Sequence, residues 1–145
     1  MLIALFTYNK RAQILSLAAL QHRADVTGVI LDEREKGFNA PWFYLGDAWS
    51  SSKYLVEVKN DENFKTVAEQ MANNFAHPNY LVIYLEKNRE QRKQSWETIF
   101  GKLYEEQKIE PSFVDELLHK MNPKYNPSFD VVIYRIENHG TGNAK

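Results

Sequence analysis

The chain has 145 residues, 18 basic and 19 acidic side chains, a net charge of −1 and 43% hydrophobic residues, which fits one domain with one core. The near-zero charge removes any global pull toward nucleic acid or acidic membranes. With no cysteine, disulfides, thiol nucleophiles and thiolate metal sites are excluded.

Leu2 to Tyr8 is a continuous apolar run, the pattern of a central strand. It lacks a basic leading region and is too short to span a bilayer, so the cytoplasm is the default location. Asn9 is placed to cap a helix over about 10–24, whose wide apolar face carries Ile14, Leu15, Leu17, Ala18, Ala19 and Leu20. Val26 to Leu31 reads as a second strand, and Gly28 inside it signals a bulge or a close backbone approach. The charged turn DEREKG follows at 32–37. Phe38, Trp42, Phe43, Tyr44 and Trp49 then place 5 of the chain's 19 aromatic residues in a polar connection. A connection of that length is more often functional than plain linker.

Lys53 to Glu86 is the clearest unit, reading strand, helix, strand. Tyr54, Val56 and Val58 alternate with Leu55, Glu57 and Lys59, as in a strand with one buried side. Asn60 or Asp61 caps a helix with the stripe Phe64, Val67, Ala68, Met71 and Phe75, and Pro78 ends it. Tyr80 to Leu85 is the next strand, apolar on both faces. Asn88 and Gln91 form a capping-box pattern for a third helix burying Trp96, Ile99, Phe100, Leu103 and Tyr104, broken at 109–111. Ser112 and Asp115 open a fourth helix with the stripe Phe113, Val114, Leu117, Leu118 and Met121. Phe129 to Ile136 is the last strand.

This order predicts an α+β domain over 1–138 with a disordered tail at 139–145. A hairpin across residues 26–53 makes the first six elements βαββαβ, a ferredoxin-like two-layer sandwich with two extra C-terminal helices and a final strand. A crossover there makes a Rossmann-like α/β open sheet instead. The hairpin is favoured because 32–52 shows no helical periodicity.

Residues 38–54 are the leading site candidate. Trp42, Tyr44 and Trp49 suit stacking on a flat or cationic ligand, with Asp47 and Ser51 supplying hydrogen bonds. The same rings equally suit a core edge or an oligomer interface. Arg89, Arg92 and Lys93 crowd a helix start, where basic groups oppose the dipole unless an anion binds there. A solvated face is the plainer account. His77 lies between a helix end and a strand end. Glu57 and Glu86 end the two organising strands, where carboxylates can do acid–base work but more often are solvated. His22, His77, His119 and His139 lack metal-ligand spacing, and no nucleotide, hydrolase-elbow or kinase motif occurs.

VTGVIL at 26–31, YLGDAWSSSKYLVEV at 44–58 and TVAEQMANNFAHPNYLVIYLE at 66–86 together resemble small phage-encoded S-adenosylmethionine lyases, formerly called hydrolases. The resemblance spans about residues 2–86. Where the family carries a glutamate near its hairpin, this chain has Ser50 and Ser51; His77 stands near the place of a family glutamine. The resemblance implies a homotrimer holding a sulfonium substrate between subunits, with Tyr44 and Glu57 or Glu86 at the site.

Two functions are therefore expected. The first is a small binding or inhibitory module that meets a protein partner through residues 38–54. The alternative is an enzyme of the S-adenosylmethionine lyase type, with an adenosyl-type ligand at the same segment. Neither calls for a cofactor, a metal, nucleic acid or a membrane, and both allow a homo-oligomer.

Overall fold

The computed structural model describes residues 11–34, 54–73, 78–84, 88–124 and 130–137. The described elements are, in order, α1 (Arg11–Gln21), β1 (Gly28–Asp32), β2 (Tyr54–Val58), α2 (Asp61–Asn73), β3 (Tyr80–Tyr84), α3 (Arg89–Phe100), β4 (Leu103–Ile109), α4 (Phe113–Met121) and β5 (Val131–Ile136). Among the described residues the fold is a mixed α+β arrangement around a five-stranded sheet, ordered β2-β1-β3-β5-β4. β1 pairs in parallel with both β2 and β3, while β5 runs antiparallel to β3 and β4.

Strand composition explains this order. GVILD and YLVIY are buried at every position, as required of interior strands covered on both faces. β2 and β4 take the two edges. In β4 only Leu103 and Ile109 are buried, and the exposed charges between them discourage pairing with another chain. Gly28 marks a close approach: a Cβ there would lie 2.9 Å from Tyr54 Cβ and 3.0 Å from its carbonyl oxygen.

The core lies on both sides of the sheet. Leu17 and Leu20 of α1 pack on Val29, Leu31, Val82, Val131 and Ile133. Val67 and Met71 of α2 and Trp96 of α3 pack on Ile30, Leu81, Ile83, Val132 and Tyr134. Asn79 pins the N-terminal ends of β1 and β3. Its Oδ1 accepts from Thr27 N at 2.9 Å, and its Nδ2 donates to the Asp25 carbonyl at 2.6 Å.

Four expectations are corrected. The hairpin of the ferredoxin-like reading is replaced by parallel pairing of Gly28–Asp32 with Tyr54–Val58. Lack of helical periodicity in the connection was a weaker guide than two-sided burial of the strand. Helices cover both faces, so the expected two layers are three. The expected third helix stops at Phe100, because Gly101 adopts φ 79, ψ −156, a region essentially reserved for glycine. Leu103 and Tyr104 therefore belong to β4, and Tyr104 is exposed. Finally, Asn88 is left-handed with φ 63 and makes no side-chain cap, so the Asn88–Gln91 capping box does not form. Ser112 does cap α4: its side chain accepts from Asp115 N, and the Asp115 carboxylate accepts from Ser112 N at 2.6 Å. The expected strand at 2–8, residue 129 of the last strand and the tail lie outside the described residues.

Candidate functional site

Strand alternation sends neighbouring side chains to opposite faces, and at the end of β1 it does so with two acids. Asp32 and Glu33 are both buried. Asp32 faces α2 and α3; Glu33 continues the row Val29, Leu31 toward α1. The register pairs Asp32 with Ile83 and Leu31 with Glu57. One step on, Glu33 falls beside Tyr84. Glu33 and Tyr84 are level and Glu57 sits two residues lower beside Leu31, so the three form a stepped polar row near the carboxyl ends of three adjacent parallel strands. Such ends are where open α/β sheets bind ligands, at the point where successive connections leave in opposite directions.

α1 packs on the same face of the sheet, mainly against β5 and β4, and meets these polar groups at Tyr84. Gln13, Ser16, Leu17 and Leu20 form its buried stripe. The two apolar members cover the core, and Ser16 reaches Tyr84. Gln13 Oε1 is buried with no hydrogen-bond partner among the described residues. The Ser16 hydroxyl donates to the Gln13 carbonyl at 2.6 Å. Burial raises the Tyr84 phenol above its ordinary range, with Ser16 acting the other way and the charges of Glu33 and Glu57 adding to the rise. Lys59 Nζ lies 2.8 Å from Glu57 Oε2.

On the opposite face Asp32 is saturated. Arg34 donates to it through Nε at 3.0 Å and Nη2 at 2.8 Å. The Trp96 indole N–H donates at 2.7 Å, and Arg92 Nη1 lies 3.6 Å away. Arg34 also reaches exposed Asp61 at 3.1 Å and lies 4.4 Å from the Phe64 ring centroid. Burial opposes the Arg34 charge, and its bonds to Asp32 and Asp61 outweigh that, so its pKa stands raised. A carboxylate so occupied is a structural anchor and leaves no lone pair poised for proton transfer.

Trp42, Tyr44, Asp47, Trp49, Ser51, His77 and Glu86 lie outside the described residues. Residues 38–54 join the described fold at Tyr54 of β2, and the chain enters them from Arg34 at the end of β1. Glu57 stands in the polar row. The three basic residues of α3 turn in different directions. Arg89 bonds Asp130 at 3.0 Å, Arg92 faces Asp32, and Lys93 lies 3.6 Å from Glu97. The reading from sequence passed over Gln13, Ser16, Asp32 and Glu33. The spacing 13, 16, 17, 20 was itself a helical stripe, hidden because two of its members are polar.

Among the described residues no group of three or more His, Asp or Glu is placed to hold a metal ion, and no described helix is long and apolar enough to cross a membrane. The arrangement gathers carboxylate and phenol oxygens near the strand ends. The chain matches no protein-family model, no curated protein and no solved structure.

Proposed function

We propose that this protein is a binding module that holds a partner protein through residues 38–54 and the carboxyl ends of β1, β2 and β3. One observation carries the reading: buried Gln13, Ser16, Glu33 and Tyr84 put polar groups into an otherwise apolar layer, at the end of the sheet where such folds bind. Half-buried Glu57 is the member of the group at the surface, where a basic side chain from the partner would take the place of Lys59. Pull-down with the purified full chain tests the proposal. Trp49→Ala and Glu57→Gln each weaken capture of the partner; capture unchanged by both defeats it.

The second reading is a small-molecule enzyme of the S-adenosylmethionine lyase type. Its support is the same acidic row, which suits a sulfonium cation, with Glu57 shared between the row and the resemblance. Thermal unfolding with and without S-adenosylmethionine and a nucleotide panel separates the two. A ligand specific to the folded state at a hundredfold excess over its dissociation constant adds about 2.7 kcal/mol. A clear shift with an adenosyl compound selects the enzyme; no shift across the panel leaves the protein-binding module.

A further inference from the structure

α4 is a nine-residue helix that buries none of its side chains. Helices this short do not persist on propensity alone and rely on an apolar face packed against something. The face exists. Phe113, Leu117 and Met121 recur every fourth residue with Val114 beside them, and they are 77%, 47%, 75% and 38% exposed. Glu116 and Lys120 lie along one flank of that stripe, the acid nearer the N-terminus and the base nearer the C-terminus.

We infer that α4 is a self-association surface, and that its occupant is the α4 of a second copy packed antiparallel across a two-fold axis. Charge pattern decides the occupant. In an antiparallel helix pair the same flank of each helix meets, so Glu116 of one copy faces Lys120 of the other, twice. Phe113 of one copy lies against Met121 of the other, a favourable sulfur–aromatic pairing. The opposed helix dipoles align favourably as well. A two-fold interface needs a patch complementary to itself, and this flank is. The inference is independent of the polar row at the strand ends.

Sedimentation velocity of the full chain over a wide concentration range tests it. The wild type shows a concentration-dependent monomer–dimer equilibrium. Leu117→Glu, at an exposed position, leaves the circular dichroism spectrum unchanged and weakens association by about tenfold or more. Glu116→Lys and Lys120→Glu each weaken it, and the double variant restores it. A wild type monomeric throughout overturns the inference. So does a dimer indifferent to Leu117→Glu, or a double variant that fails to recover. Monomeric protein that sediments with phosphatidylglycerol vesicles through Leu117 would identify a membrane-surface helix instead, and would equally overturn it.

Discussion

Asp32 and Glu33 are adjacent in the chain and opposite in circumstance. Asp32 is the shared counter-ion of Arg34 and Arg92, both with side chains 9% exposed. Removing one member of a buried pair leaves the other's charge uncompensated, at about 3–5 kcal/mol. Asp32→Ala is therefore expected to lose about that much in urea denaturation, while Glu57→Gln, at a half-buried position, loses far less. Tyrosines set an alkaline limit. Burial, together with the Asp25 carboxylate accepting from its hydroxyl, pushes Tyr80 up to about 12, and burial does the same for Tyr134. Their folded pKa values exceed the unfolded value of 10.0. The stability they contribute is therefore complete below pH about 10 and is lost as pH rises toward about 12. Tyr80→Phe removes one of these titrations, so its pH–stability curve should fall less steeply over that window. A curve as steep as the wild type's would show that Tyr80 contributes nothing to it.

Single residues also decide where elements end. Gly101 turns the chain from α3 into β4 at a positive φ that a side chain resists. Gly101→Ala is expected to cost about 1–3 kcal/mol, read as a lower urea midpoint at unchanged slope. Ser112→Ala removes the cap of α4 and should cost about 1 kcal/mol or less. Because no side chain of α4 is fully buried, that loss should appear as fraying of the helix in hydrogen exchange rather than as global unfolding. β4 shows why an edge strand is hard to read. Tyr104 to Lys108 are all exposed, and a register shift falls between Glu105 and Gln107, so the period-two signal is broken. The run LYEEQKI then looks like the polar continuation of the helix before it. In contrast, α2 was legible from its single apolar stripe, and β5 from a short run that is apolar on both faces.

Across the whole molecule, protection should follow strand order. β1, β3 and β5 sit inside the sheet, and β2 and β4 form its edges. Hydrogen exchange should therefore be slowest in β3 and faster in β2 and β4. Equal protection of β2 and β3 would contradict this order. The same order places β1 between two parallel neighbours and brings Glu57, Glu33 and Tyr84 from three separate segments to one end of the sheet. Residues 31–33 and 57 are far from residue 84 in the chain, and only strand pairing makes them neighbours.

Local pattern alone established most of the described elements: the α1, α2 and α4 helices, the core strands, and the faces that Val56, Val67, Val131 and Tyr134 would bury. It also flagged Ser112 as a cap, which depends on Asp115 three residues on, and Gly28 as a bulge or a close approach, of which the packing of Tyr54 selected the second. Pairing direction, the two-sided covering of the sheet, the edge strand β4 and the polar row were decided by tertiary structure. Each depends on contacts between segments distant in sequence, whose free energy is not written in the periodicity of either. Gln13 and Glu33 illustrate the difference. As letters they are a surface glutamine and a charged turn, and only the packing of segments distant in sequence makes them buried.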